Sequence, residues 1–196
     1  MKQSLKMVIF DMDGTIFKSN IDWREVKKKL DISIGKTILE DIMSESTYNK
    51  EKIGILERIE RKNTLETSPF NSFSKLFAGL KKKYIKTALI TNNNLSNSNY
   101  LLNKFSLDFD IVVTREMKMW KPRPDAMKYV FEKLNISPKN TISIGDSDFD
   151  IISSIESGIG KIYIKRKGIR GIIEENGIFY FNNYNDLYES LLIALN

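Results

Sequence analysis

The chain has 196 residues, a hydrophobic fraction of 41% and a formal net charge of +6 at pH 7, which suits one domain with a modest insertion. It contains neither cysteine nor histidine, which excludes thiol nucleophiles, disulfides, Cys/His zinc sites and histidine general bases. Any catalysis must therefore use carboxylates, lysine, hydroxyls or backbone groups, and the positive charge alone identifies no partner.

Short apolar runs rich in β-branched residues predict buried strands. They lie at 7–10, 87–91, 110–113, 141–145, 161–165 and 178–181. Helical patterns follow most of these strands, and they lie at 71–82, 95–105, 124–134, 148–156 and 185–195. Because strands alternate with helices, the sequence predicts an α/β fold with a parallel sheet covered by helices on both faces.

Residues 18–68 break this alternation. They contain three successive helical patterns without a convincing strand, at 21–30, 35–45 and 49–63. Ser68-Pro69 marks the return to the main body, because the residue before a proline resists helix formation. We therefore predict an α/β core made of 1–17 and 69–196, with 18–68 as an all-helical insertion.

Acidic residues follow two of the predicted strands. Asp11 and Asp13 come after the first strand, and Asp146 and Asp150 follow the strand at 141–145. The carboxyl ends of parallel strands meet at one edge of the sheet, where ligands bind. Carboxylates gathered there raise one another's pKa values unless a cation lies among them. Oxygen ligands without histidine or cysteine favour Mg²⁺, which commonly coordinates phosphate as well.

Several of the polar residues near this edge also have a purely structural interpretation. Thr91 ends the second strand and could cap the next helix. Lys121 precedes the helix at 124–134, but it could be a solvated loop lysine, with Lys118 as a neighbouring candidate. Asp148 and Asp150 could be acids that stabilise a helix N-terminus through its dipole. These alternatives stay open at the level of single residues.

Four motifs occur in order along the chain. They are Asp11-x-Asp13-Gly14-Thr15, Thr91-Asn92, Lys121-Pro122-x-Pro124-Asp125 and Gly145-Asp146-Ser147-x-x-Asp150. This set resembles the signature motifs of the haloacid dehalogenase superfamily, and the helical insertion resembles the small cap of its phosphoglycolate phosphatase-like branch. The resemblance implies a Rossmann-like parallel core with helices on both faces and a small helical cap inserted after the first strand.

The resemblance also implies an enzyme, a Mg²⁺-dependent phosphatase that hydrolyses phosphoric monoesters through an aspartyl-phosphate. It implies that Asp11 is the nucleophile and Asp13 the acid/base, while Thr91, Asn92 and Lys121 bind the phosphate of the substrate. The metal ligands it implies are Asp11, Asp13, Asp146 and Asp150. We expect a small phosphorylated metabolite as substrate, with phosphoglycolate as the family-level example.

Other activities of the same superfamily are less well supported by the sequence. A phosphonatase would need a cap lysine, for which Lys18 is a candidate, and other phosphotransferases of the superfamily remain open. A phosphomutase of the β-phosphoglucomutase type needs a cap histidine, which the chain lacks. A haloacid dehalogenase needs neither the metal nor the second carboxylate that Asp13 supplies.

A non-catalytic protein that binds nucleic acid or a partner is the alternative from a different class. The basic runs at 27–29, 81–83 and 165–167 are typical of solvated surfaces, so we expect no nucleic-acid partner. No stretch reaches the roughly 18 apolar residues of a membrane span, and no signal peptide is recognisable. A cytoplasmic location without membrane association is therefore expected.

Overall fold

The computed structural model describes residues 4–43 and 49–194, and its centre is a seven-stranded sheet. The strands are β1 (Met7–Phe10), β2 (Lys86–Ile90), β3 (Ile111–Val113), β4 (Thr141–Gly145), β5 (Lys161–Lys165), β6 (Ile172–Glu175) and β7 (Ile178–Phe181). Their order is β3-β2-β1-β4-β5-β7-β6. Every neighbouring pair is parallel except β6 and β7, so the predicted parallel α/β core is confirmed.

Eight α-helices lie within the described residues. They are α1 (Trp23–Lys29), α2 (Ile38–Met43), α3 (Lys50–Glu66), α4 (Phe73–Lys82), α5 (Leu95–Lys104), α6 (Asp125–Leu134), α7 (Asp148–Glu156) and α8 (Tyr184–Ala194). Each corresponds to a helical pattern in the sequence. Positions 44–45 of the second predicted helix and position 195 of the last one lie outside the described residues. Among the described helices, none combines the length and apolar character that crossing a lipid bilayer requires.

Helices cover both faces of the sheet because side chains alternate along each strand. On β1, Val8 and Phe10 pack into one apolar cluster with α4, α5 and α8. Met7 and Ile9 face the other way and pack into a second cluster with α6 and α7. All four residues of β1 are buried, as expected for a central parallel strand.

The antiparallel pair β6–β7 lies at the sheet edge, and the sequence analysis predicted β7, at 178–181, but missed β6. The turn between the two strands is Asn176-Gly177, and both residues have positive φ values, 53° and 80°. An Asn-Gly dipeptide is a strong signal for a two-residue hairpin, so this signal was available. The strand before it was overlooked because β6 is an edge strand whose residues are mostly exposed.

Helices α1–α3 follow β1 without an intervening strand. They share a separate apolar cluster made of Val26, Leu30, Leu39, Ile42, Ile53 and Leu56, which Trp120 from the core also joins. Phe17 and Pro69, where the chain leaves and re-enters the core, form an antiparallel bridge. The division into a core and a helical insertion at 18–68 stays a prediction. The bridge between Phe17 and Pro69 lies at the two ends of that insertion, which is where its boundaries are predicted.

Candidate active site

The carboxyl ends of β2, β1 and β4 lie side by side in the sheet, and three of the four predicted motifs follow these ends, while the Lys121 motif comes after β3. The structure brings together three of the predicted acids. One carboxylate oxygen from each of Asp11, Asp146 and Asp150 lies within 4.8 Å of the others. These residues come from two segments of the chain more than a hundred positions apart, the loop after β1 and the β4–α7 junction, so the sheet topology is what gathers them.

The loop after β1 turns tightly enough to bring its backbone against Asp146. Gly14 has φ = +82°, and its amide donates to the carbonyl oxygen of Phe17 at 2.8 Å. A Cβ at this position would lie 1.9 Å from Oδ2 of Asp146. Only glycine therefore combines the left-handed backbone with space for the Asp146 carboxylate.

Lys121 is buried and forms two short ion pairs. Its Nζ donates to Oδ1 of Asp11 at 2.5 Å and to Oδ1 of Asp150 at 2.6 Å. Burial alone would lower the pKa of Lys121, but the two carboxylates raise it above its ordinary value. The lysine is therefore a fixed positive charge beside Asp11, and Lys118 by contrast is exposed.

Asn92 holds the Lys121 loop through the backbone. Its Nδ2 donates to the carbonyl oxygen of Lys121, and the Lys121 amide donates to its Oδ1, both at 2.9 Å. Thr91 is buried and lines a cavity at this edge of the sheet, which is described below. Its hydroxyl oxygen accepts a hydrogen bond from the Asn93 amide at 3.0 Å. Because this contact uses Thr91 as an acceptor, the hydrogen of its hydroxyl group can still be donated to an anion. That phosphate-binding role stays a prediction.

Asp150 caps a helix and also contacts Lys121. Its Oδ2 accepts from the hydroxyl of Ser147 at 2.6 Å and from the Ser147 amide at 3.0 Å, which caps the start of α7. Its Oδ1 accepts from Lys121. The helix-cap interpretation therefore applies to Asp150, and its role as a metal ligand stays a prediction; Asp148 is exposed.

Asp13 is not one of the three acids whose carboxylate oxygens group together. Its Oδ2 accepts from Nδ2 of Asn93 at 2.8 Å, while its buried Oδ1 has no hydrogen-bond partner among the described residues. Burial raises the pKa of Asp13, although the Asn93 hydrogen bond and the charges of Lys121 and Arg115 oppose this. A carboxyl that holds its proton more readily suits an acid/base role. The prediction that Asp13 also binds the metal stays a prediction.

The electrostatics of the three grouped acids fit a bound cation. Desolvation raises the pKa of Asp11 well above its ordinary value. The charges of Asp150 and Asp146 raise this pKa further, whereas the charge of Lys121 lowers it. Desolvation within the cavity, reinforced by Asp150, raises the pKa of Asp146 to about 7. Oδ2 of Asp11 is buried without a hydrogen-bond partner in the described chain. An all-oxygen site of this charge fits Mg²⁺, which Asp11, Asp146 and Asp150 would hold.

Asp11, Asp13 and Asp146 line a cavity of about 480 Å³ between the strand ends and the helices α1–α3. Asp11, Asp13 and Lys121 lie on the core side, and Trp23, Ile38, Leu39, Leu56 and Glu60 lie on the helical side. The sequence analysis missed Asn93 and Glu60, and the Asn-rich stretch after β2 was the only signal for the first of them.

The contact between Gly14 and Asp146 predicts a large effect for Gly14→Ala. A positive φ costs alanine about 1–2 kcal/mol, and the new methyl group would also displace Asp146. Gly35→Ala is the matched control, because Gly35 has φ = +81° and no atom within 4 Å of a built Cβ. We expect similar backbone costs in urea unfolding, while only Gly14→Ala weakens Mg²⁺ binding measured by calorimetry. Equal Mg²⁺ affinities for the two variants would contradict the role given to Asp146.

Comparisons with known proteins show what the chain is similar to. Residues 8–164 match the family described as haloacid dehalogenase-like hydrolase. An uncharacterised hydrolase of Saccharomyces cerevisiae is 29% identical over 170 residues, which cover 82% of this chain and 78% of the relative. The phosphorylated carbohydrates phosphatase of Thermotoga maritima is 28% identical over 182 residues, covering 81% and 84%. A haloacid dehalogenase-superfamily hydrolase from Ehrlichia chaffeensis has a TM-score of 0.66 at 25% identity, with 100% of both chains covered.

Proposed function

This chain belongs to the haloacid dehalogenase-like hydrolase family and is a phosphatase of that family, and we propose that it hydrolyses small phosphorylated metabolites with Mg²⁺ through an aspartyl-phosphate. One observation carries the proposal. Asp11 lines the cavity, and Lys121 fixes one of its carboxylate oxygens, while the other is buried and has no hydrogen-bond partner among the residues that the structure describes. A carboxylate held in this way has an oriented lone pair available for attack on phosphorus.

The first half of the reaction transfers the phosphoryl group to the protein. Oδ2 of Asp11 forms a bond to phosphorus as the bond from phosphorus to the ester oxygen breaks. The carboxyl of Asp13 gives its proton to the departing alkoxide. Lys121 offsets the negative charge on the transferring oxygens, and Thr91 donates a hydrogen bond to one of them. Mg²⁺, when bound, supplies further charge neutralisation at the same oxygens.

The second half returns Asp11 to its starting state. The Asp13 carboxylate takes a proton from a water molecule, whose oxygen bonds to phosphorus as the bond to Asp11 breaks. Inorganic phosphate leaves, and Asp13 again carries the proton that the next cycle needs. In this proposal the helical insertion acts as a cap over the cavity and keeps bulk water away from the intermediate.

Removal of divalent metal tests this function. We expect p-nitrophenyl phosphate hydrolysis by the native chain to fall at least about 100-fold in excess EDTA, because the grouped carboxylates then repel the phosphate. Activity should return when Mg²⁺ exceeds the chelator. EDTA saturated with Mg²⁺ beforehand is the control for effects of the chelator itself. Full turnover in EDTA, or no turnover with Mg²⁺ at all, would contradict the proposed function.

A further inference from the structure

Glu60 on α3 is a buried carboxylate in the cavity wall that the proposed reaction does not use. Its residue is 3% exposed and lines the same cavity as Asp11. Oε1 accepts from Nη1 of Arg115 at 2.8 Å. Oε2 is also buried, but it has no hydrogen-bond partner among the described residues. One oxygen of this carboxylate is thus satisfied by the protein, and the other is not.

An unpartnered buried oxygen is costly, since it has lost its water and gained nothing in return. Burial raises the pKa of Glu60 to about 7, although the charge and hydrogen bond of Arg115 oppose the shift. At about pH 8, where the substrate preference is to be measured, Glu60 is mainly ionised, and an ionised carboxylate only accepts hydrogen bonds. A donor placed in the cavity would therefore complete the coordination of Glu60, whereas a second carboxylate there would be repelled by it.

We propose that Glu60 determines the substrate specificity of this active site by accepting a hydrogen bond from a hydroxyl or ammonium group of the substrate. The inference rests on the proposed phosphatase function and names the substrate class within it. The enzyme selects phosphomonoesters that carry a hydrogen-bond donor, such as phosphorylated polyols, sugars or amino alcohols. It discriminates against esters that carry a carboxylate in the same place, and phosphoglycolate is one of these.

The remainder of the cavity agrees with such a substrate. Its volume of about 480 Å³ leaves room for more than a two-carbon ester. Trp23, Ile38, Leu39 and Leu56 form an apolar surface next to Glu60 that can cover the carbon skeleton of the substrate. Lys27 also lines the cavity and could attract a carboxylate, but its exposure to water weakens such an ion pair.

Two substrate pairs test the inference, each matched except for one group. The first pair is 2-hydroxyethyl phosphate and phosphoglycolate, and the second is glucose 6-phosphate and 6-phosphogluconate. In whichever pair is turned over faster, kcat/KM for the donor substrate is divided by kcat/KM for the carboxylate substrate. This ratio is measured for the native chain, for Glu60→Gln and for Glu57→Gln. This ratio does not depend on the folded fraction of the enzyme, so a loss of stability cannot imitate a loss of specificity. p-Nitrophenyl phosphate, which has neither group, is the reference substrate.

Glu60→Gln removes the charge with little change in shape. Glu57→Gln is the matched control, because Glu57 lies one turn earlier on α3 and also pairs with Arg115, at 3.6 Å, but its side chain is 51% exposed. We expect the native chain to prefer the donor substrate at least about tenfold. Glu60→Gln should lower that ratio by about 10-fold or more, mainly through faster turnover of the carboxylate substrate. Glu57→Gln should leave it unchanged.

The outcomes separate this inference from the function on which it rests. An unchanged ratio in Glu60→Gln, an equal change in Glu57→Gln, or a native preference for the carboxylate substrates overturns the specificity role while p-nitrophenyl phosphate is still hydrolysed. An ammonium substrate, 2-aminoethyl phosphate, distinguishes the two donor types, and turnover above that of phosphoglycolate supports the proposal. Absence of turnover with every phosphomonoester overturns the proposed function together with the inference.

Discussion

Asp11→Asn is expected to reduce p-nitrophenyl phosphate hydrolysis by at least roughly 10⁴-fold, as removal of a covalent nucleophile does in other enzymes. An amide oxygen is a poor nucleophile, so no aspartyl-phosphate forms. The same variant should remain folded, because Asn keeps an oxygen that can accept from Lys121. The measurement is initial rate with saturating Mg²⁺, together with urea unfolding of both proteins without metal.

The stability half of this prediction follows from the sign of the pKa shift. The folded state raises the pKa of Asp11, mainly by desolvation and then through the charges of Asp150 and Asp146. A raised carboxyl pKa means that ionising Asp11 destabilises the folded state at pH values above the unfolded pKa. Replacing that charge by a neutral amide should therefore not lower the free energy of unfolding at pH 7.

Asp108→Asn is the matched control for the loss of activity. It makes the same chemical change at an exposed position outside the cavity lining, so its rate should equal that of the native chain. Residual hydrolysis in Asp11→Asn above about one per cent of the native rate would indicate a different nucleophile. A large loss of stability in Asp11→Asn without metal would show that the charge of Asp11 is not repelled by those of Asp146 and Asp150.

The topology explains why the site could be largely predicted from the sequence. Asp11, Thr91 and Asp146 each follow an apolar run directly, and the carboxyl ends of parallel strands must meet at one edge. Local pattern and a general rule of sheet geometry were therefore sufficient to bring these loops together. The direct ion pairs of Lys121 with Asp11 and Asp150 did not follow from pattern, because they depend on side-chain conformations across three loops.

The residues that escaped prediction depend on tertiary contacts that leave no local trace. Glu60 lies in a helix rich in charged residues, where a glutamate is normally solvated. It is buried and pairs with Arg115, which is 55 positions away in the chain. Asn93 is one of several asparagines after β2, and nothing in that run distinguishes the one that contacts Asp13. The Thr91-Asn92 motif pointed to Asn92 as the site residue instead of Asn93.

Lys121→Met is expected to have the opposite effect on stability from Asp11→Asn. Methionine has a similar length and no charge, so Asp11 and Asp150 would face each other in a buried site without the cation between them. Removing one member of a buried ion pair typically costs about 3–5 kcal/mol. We expect a loss of that size in urea unfolding without metal. We also expect a decrease in p-nitrophenyl phosphate turnover of roughly 10²- to 10³-fold with Mg²⁺.

Lys118→Met is the control, since Lys118 is the neighbouring lysine in the same segment and is exposed. It should retain the native rate, and a greater loss in Lys118→Met than in Lys121→Met would move the phosphate-binding role to Lys118.

The double variant Asp11→Asn/Lys121→Met gives the sharpest test of the arrangement. In Lys121→Met both Asp11 and Asp150 lose their cation, whereas in the double variant only Asp150 does. The double variant should therefore be more stable than Lys121→Met alone. Residues in direct contact couple by about 0.5–3 kcal/mol in such cycles. Simple additivity of the two changes would mean that Lys121 does not neutralise Asp11, and the lysine would then act on the substrate alone.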